Sequence, residues 1–402
     1  MMNIKLIDLN RQYDKIKKEI YSEFDKIFDN SSFIMGENVK KFEKEFADYI
    51  GVENAISVAN GTDALVIALK ALGIGDGDEV ITTPYSFFAT AESISRVGAI
   101  PVFVDVNINT YNIDENKIEE KVTSKTKAIL PVHIFGQPCN MNKINEIAKK
   151  HKLLVIEDAC QAVGAKYDGK MVGTLSDIAC FSFFPTKNLG CAGDGGMIVA
   201  NDSTLATICR AYRTHGSGKD GNNAYNIMNN INDSIVEEKS NSDNTIYNPM
   251  KYFNYIIGYN SRLDELQAAI LRIKLPRLEE CTIDRINTVN FYNNKLQNTT
   301  LILPFEEKNI RHVYHLYILQ SDKRKDLTDY LKDKGIATGI YYQVPLHLQV
   351  ALEKYGYKLG SCPNAEHLSE RTFAIPLFPG MTEDEKEYIV DNIMEWCDKY
   401  GK

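Results

Sequence analysis

Seven short apolar runs punctuate the first half of the chain: AISVA (55–59), EVITT (79–83), IPVFV (100–104), KAILPV (127–132), LLVIE (153–157), IACFSFF (178–184) and GMIVA (196–200). They are near-continuous rather than alternating, and most end in polar or glycine-rich turns, as strands covered on both faces do. Stretches of helical period lie between many of them, such as TDALVIALKAL (62–72) and MNKINEIAKKH (141–151). This alternation predicts an α/β domain built on a mainly parallel sheet flanked by helices.

Beyond about residue 200 the pattern changes. NDSTLATICRAYRTHG (201–216) reads as a helix, whereas 217–252 is rich in Asn, Asp, Ser and Gly and reads as a long surface loop or insertion. Residues 261–296 have the composition of a long helix that Pro276 should kink or divide. The rest mixes strand-like HVYHLYILQ (312–320) with helix-like DLTDYLKDKG (326–335) and TEDEKEYIVDNIMEWCDKY (382–400). The expected organisation is a large α/β domain over 1–250 and a smaller C-terminal α+β domain over 251–402, without internal repeats.

Composition narrows the function. The 402 residues are 44% hydrophobic and 25% charged, ordinary globular values, and carry a net charge of −8. That balance argues against a general nucleic-acid binder or a basic membrane-surface protein, though not against a small anionic ligand held locally. The N-terminus lacks the apolar core of a signal peptide, and no run is long enough to span a bilayer, so a cytoplasmic protein is expected. Eight scattered cysteines with no CxxC pair read as reduced, mostly buried thiols rather than a metal site.

Ligands of open α/β sheets bind beyond the carboxyl ends of the strands, and three segments there carry chemistry. Asn60-Gly61-Thr62-Asp63 joins a strand to a helix, whose N-terminus offers free N–H groups suited to phosphate; Thr and Asp are also ordinary caps. Glu157 and Asp158 end another strand and should face opposite ways; an Asp there either caps the next helix or pairs with a cationic ring. In FSFFPTKNLGCAGDGGM (181–197), Ser182 and Lys187 close a strand and begin a glycine-rich loop. A desolvated lysine can lose its proton and attack carbonyls. Together, a phosphate acceptor, a strand-end Asp and a strand-end Lys suggest a pyridoxal phosphate site.

These residues, with FIMGENVKKFEKEFADYIG, PYSFFATAESI, PVFVDVNINTYNID, PVHIFGQPCNM, EDACQAVGA, GYNSRLDELQAAIL and PLHLQ, make the chain resemble the DegT/DnrJ/EryC1/StrS sugar-nucleotide aminotransferases. These are fold type I pyridoxal phosphate enzymes with a seven-stranded large domain. The motifs run over nearly the whole chain in the family's order.

The resemblance implies a role for each residue. Lys187 is the covalent anchor of pyridoxal 5'-phosphate and its proton shuttle. Asp158 keeps the pyridine nitrogen protonated, Gln161 lies near the phenolic oxygen, and Phe87 stacks on the ring unless it is a core aromatic like its neighbour Phe88. Gly61, the backbone of Thr62 and Asp63, and the Ser182 hydroxyl hold the phosphate. Asn260 reaches the phosphate in the neighbouring subunit, which implies a homodimer. Arg262 contacts anionic groups of the substrate or forms a structural salt bridge, and His315, Tyr317 and His347 fall near the sugar-nucleotide channel.

The implied reaction moves an amine from L-glutamate to a keto sugar linked to a nucleoside diphosphate. C4-acting members often carry a histidine before the lysine segment and GEGG after it; FFPTKNLG and GDGG here resemble instead the members that act on C3 ketones. A dehydratase of the same fold would carry histidine at position 187, and a non-catalytic sugar-nucleotide-binding regulator would be expected to lose Lys187 or Asp158.

Overall fold

The computed structural model of the protein describes residues 2–231 and 252–401. Each apolar run of the first half becomes a strand. β1 (Asn54–Val58), β2 (Glu79–Thr82), β3 (Ile100–Phe103), β4 (Thr126–Leu130) and β5 (Leu154–Asp158) come first in the chain. The two-residue strands β6 (Lys166–Tyr167) and β7 (Lys170–Met171) follow, and then β8 (Ile178–Ser182) and β9 (Gly196–Ala200). One seven-stranded sheet results, in the order β1-β9-β8-β5-β4-β2-β3. All neighbours are parallel except β9, which runs antiparallel to both β8 and β1. A loop over 183–195 returns the chain beside β8, and a return without a crossover helix must be antiparallel.

Both faces are covered, which is why the strands read as continuous apolar runs. Ile56, Cys180 and Ile198 face the cluster built around α3 (Gly61–Ala71), while Ala55, Phe181 and Val199 face α2 (Glu37–Ile50) through Phe42 and Phe46. Ile81, Ile129 and Val155 meet α5 (Met141–His151) through Ile144 and Ile147. α3 is apolar around its whole circumference because every residue from Ala64 to Leu69 is buried. α1 (Leu9–Asp29), α4 (Ala89–Arg96) and α6 (Ser203–Arg213) complete the large layer.

Residues 218–228, expected as loop, form the helix α7 (Gly218–Met228). Gly221 and Ala224 are buried, with Gly221 so close to the Gly216 carbonyl that no side chain would fit. Tertiary packing decides the conformation here against a weak local propensity. The remainder of the expected insertion, 232–251, lies outside the described residues.

Pro276 divides the long helical stretch into α8 (Glu265–Lys274) and α9 (Leu278–Leu296), joined by a 3-10 turn, Leu275–Arg277. β10 (Ile310–Arg311) pairs with β6. β11 (Tyr317–Gln320) and β12 (Thr372–Ile375) form an antiparallel pair, packed with α10 (Arg324–Asp333), α11 (Pro363–Arg371) and α12 (Glu383–Tyr400). Of the strand expected over 312–320, only the last four residues are strand.

Contacts cross the 250/251 boundary in both directions. α8 packs on α1 and α2, where the buried Glu265 carboxylate accepts the Gly36 N–H at 3.0 Å and the Val39 N–H at 3.2 Å. Ile4 is buried in the C-terminal core, its N–H bonded to the Gly335 carbonyl at 2.8 Å. All eight cysteines are free thiols; six are buried and the other two partly so. Among the described residues no helix is long and apolar enough to cross a membrane.

Candidate active site

A cavity of about 500 Å³ opens at the carboxyl ends of β1, β5 and β8. At one end lies the start of α3. Asn60 Oδ1 accepts the Asp63 N–H at 2.8 Å, which leaves the Gly61 and Thr62 N–H groups without a protein partner among the described residues. Both residues line the cavity beside Ser182. A Cβ at Gly61 would lie 2.7 Å from that of Ser182, so only glycine lets β8 approach the helix this closely. Gly196 of β9 meets the same constraint from the other side, 2.5 Å from the Asn60 carbonyl carbon. Asp63 does not line the cavity; its carboxylate accepts the Ser261 hydroxyl at 2.8 Å and faces Arg96 at 3.8 Å.

The loop after β8 is closed by two bonds to Phe183, whose N–H donates to the Gly195 carbonyl and whose carbonyl accepts the Cys191 N–H, both at 2.8 Å. Gly190 packs so tightly on the Phe184 and Pro185 carbonyls that a Cβ there would lie 2.5 Å from one of them. Within the loop the Lys187 N–H turns back onto the Phe184 carbonyl at 2.8 Å. Its side chain enters the cavity, where desolvation lowers the amine's pKa; the nearby Cys160 and Asp158 oppose the shift and do not cancel it.

Asp158 and Glu157 do part company. Asp158 lines the cavity, its Oδ2 accepting the Thr90 hydroxyl at 2.9 Å and its Oδ1 the Cys160 N–H at 3.2 Å. Thr90 in turn bonds Ser86 at 2.9 Å. Gln161 spans the cavity's edge: its Oε1 accepts the Phe135 N–H at 2.8 Å, and its Nε2 donates to the Tyr342 hydroxyl at 2.9 Å. Phe87 is 59% exposed at the rim, so it is no core aromatic, whereas Phe88 packs on the core. His315 is buried against the cavity with Nδ1 unpartnered. Burial, then Lys187 and Arg285, hold its imidazole neutral, far below the usual histidine range.

The structure thus brings together Gly61, Thr62, Phe87, Asp158, Gln161, Ser182, Lys187 and His315. Tyr317 and His347 lie elsewhere. Tyr317 is a core residue whose hydroxyl donates to Asn293 Oδ1 at 2.7 Å. His347 is buried between Phe103 and Tyr357 and bonds Glu366 at 2.9 Å. Asn260 and Arg262 bond each other outside the cavity. Thr90, Tyr342, Asp194 and Ile7 also line the cavity and were not named as site residues from the sequence; Thr90 and Asp194 lay in motifs that carried the resemblance.

The chain is similar to known proteins over nearly its whole length. A pleiotropic regulatory protein of Geobacillus stearothermophilus is 45% identical over 398 residues, covering 98% of this chain and 99% of its own. The UDP-N-acetyl-3-dehydro-α-D-glucosamine 3-aminotransferase of Acidithiobacillus ferrooxidans is 40% identical over 383 residues, covering 95% of each. The crystal structure of DesV from S. venezuelae superposes with a TM-score of 0.89 at 33% identity, covering 99% of both chains. That of NtdA from Bacillus subtilis, with bound cofactor PMP, gives 0.84 at 30% identity, covering 99% of this chain and 86% of its own. The family model of the DegT/DnrJ/EryC1/StrS aminotransferases matches residues 14–394, and the chain belongs to that family.

Proposed function

We propose that the protein is a pyridoxal-phosphate-dependent aminotransferase that moves the amino group of L-glutamate to the C3 ketone of a nucleoside-diphosphate sugar, and that it works as a homodimer. The observation that carries this reading is the meeting in one cavity of a desolvated lysine amine, a strand-end carboxylate and a helix N-terminus with two free N–H groups.

The residues present fit the cofactor. The N–H groups of Gly61 and Thr62, at the positive end of α3, and the Ser182 hydroxyl suit a phosphate. Asp158, with Oδ2 oriented by Thr90, would hold a proton on a ring nitrogen. When bound, pyridoxal phosphate supplies an aldehyde for the amine and a ring that takes up the electron pair left by proton removal. Lys187 would do the remaining acid–base work: desolvation favours its neutral amine, which would condense with a carbonyl carbon, the oxygen leaving as water, and, when released from that carbon, accept a proton at Nζ. His315, kept neutral, adds no second positive charge beside it.

The C3 assignment is supported by FFPTKNLG, which lacks a histidine before the lysine, by GDGG, and by the name of the A. ferrooxidans relative, a 3-aminotransferase of a 3-dehydro sugar nucleotide. A second reading, a regulator, has the name of the G. stearothermophilus relative in its favour; Lys187 and Asp158, which binding alone does not require, weigh against it. The deciding experiment incubates the protein with pyridoxal phosphate, L-glutamate and UDP- or dTDP-linked 3-keto and 4-keto sugars, measuring 2-oxoglutarate and amino sugar. Turnover with the 3-keto sugar is expected. Turnover with the 4-keto sugar alone would overturn the C3 assignment, and turnover with neither would leave the regulator.

A further inference from the structure

The loop that carries Lys187 is gripped from behind by three side chains that do not line the cavity. Lys274, the last residue of α8, donates from Nζ to the Gly190 carbonyl at 2.5 Å. The Tyr13 hydroxyl of α1 donates to the next carbonyl, that of Cys191, at 2.9 Å. The next N–H, that of Ala192, donates to Gln267 Oε1 at 2.9 Å. Three successive backbone groups are thus fixed from two helices, and Gln267 and Lys274, seven residues apart, share one face of α8. Lys187 lies three residues before this turn and Asp194 two after it, and both line the cavity.

Lys274 is an unusual residue to find here. It is 7% exposed and has no carboxylate partner among the described residues. The groups facing it are the Tyr13 ring of α1 at 5.0 Å, Cys191 of the loop, and Cys281 and Arg285 of α9. An ammonium buried without a counter-charge is expensive, and burial pushes this one down to about 8. A methionine would fill the same space without that cost. What the lysine adds is a charge-assisted hydrogen bond to one particular carbonyl.

We propose that Lys274 is a positioning residue for Lys187: acting with Tyr13 and Gln267, it holds the 190–192 turn at the height that directs the Lys187 side chain into the cavity. The proposal rests on the reading of Lys187 as the reactive amine.

The test is Lys274→Met, which keeps the stem and removes the donor, with Gln267→Ala as a second variant that leaves the buried site filled. Hydrogen exchange of the cofactor-free protein is followed by mass spectrometry. Peptides spanning 186–196, which contain the bonded amides of Cys191 and Ala192, should exchange roughly 10- to 100-fold faster in Lys274→Met, the size of one charge-assisted bond. Exchange in α3 should not change. Gln267→Ala should show the same local effect, smaller. In the loaded enzyme kcat should fall with KM nearly unchanged, and the pH at which the visible absorbance of the lysine-linked cofactor titrates should move. Acceleration spread evenly over the chain, unchanged exchange in 186–196, or a KM effect alone would each overturn the proposal. Absence of turnover in the wild type would instead overturn the aminotransferase reading, since the exchange experiment needs no cofactor.

Discussion

Glu157 and Asp158 are adjacent at the end of β5 and serve opposite sides of the sheet. Asp158 faces the cavity and keeps part of its surface free for a ligand, whereas Glu157 is fully buried and fully used. Its Oε1 accepts the Leu175 N–H at 3.0 Å and the Ser176 hydroxyl at 2.7 Å; its Oε2 accepts the Gly173 N–H and His133 Nε2, both at 3.0 Å. His133 Nδ1 accepts the Cys139 N–H at 3.0 Å, which places the imidazole proton on Nε2. One carboxylate thus builds the floor of the site, and its neighbour faces the cavity.

Glu157→Gln turns one of these acceptor oxygens into a donor that meets two donors. A loss of roughly 3–5 kcal/mol is expected, read by denaturant unfolding. The cofactor's visible band in the folded fraction should be unchanged, because Glu157 does not reach the cavity.

Asp158→Asn is the mirror experiment. The side chain keeps its size, but the charge that would hold a proton on the ring nitrogen is gone. Stability should change little, while kcat should fall by roughly 10²–10⁴-fold. A kcat within a few-fold of wild type would show that Asp158 only orients Thr90 and Cys160.

Lys187→Ala should abolish turnover and the visible band of the lysine-linked cofactor. The fold should be unharmed, since among the described residues no carboxylate is ion-paired with Lys187 and removing a desolvated amine relieves an unfavourable burial. Measurable transamination by this variant, followed as 2-oxoglutarate release, would exclude Lys187 as the reactive amine.

The strands were legible because burial on both faces leaves near-continuous apolar runs, and Pro276 announced the break between α8 and α9. What was not legible depends on partners distant in the chain. Nothing near β9 signals its antiparallel direction, which follows from how the 183–195 loop closes. Thr90 acts on Asp158 across 68 residues. His315 and Tyr317, two apart, would share a face if 312–320 were all strand. Tyr314, however, has a positive φ of 44° and the strand begins only at Tyr317, so His315 turns to the cavity and Tyr317 to the core. In 218–228, an Asn- and Gly-rich helix owes its existence to its packing against α6.

Asn260 bonds Arg262 and takes no part in its own chain's cavity. If it completes the phosphate site of a second copy, Asn260→Ala should weaken cofactor retention by roughly 10-fold, the size of one hydrogen bond to a charged group. The dimer itself should persist in sedimentation. An unchanged cofactor affinity in an intact dimer would remove the cross-subunit contact from the proposal.

Acid stability tests the buried histidines. His312 is stacked on Tyr314 at 3.7 Å, and its Nδ1 accepts the Tyr314 N–H at 3.0 Å; burial lowers its pKa from 6.5 to about 3. The unfolded chain therefore takes up a proton below about pH 6.5 that the folded chain refuses, so stability falls as pH drops through that value and the loss is complete near about pH 3. His315 adds a second loss of the same sign. His312→Asn keeps an acceptor for the Tyr314 N–H but cannot titrate. Between about pH 6.5 and 5.5 the wild type should lose roughly 1 kcal/mol more unfolding free energy than this variant. Parallel pH profiles for the two proteins would mean that His312 is protonated in the folded state and that the 312–316 segment opens to solvent.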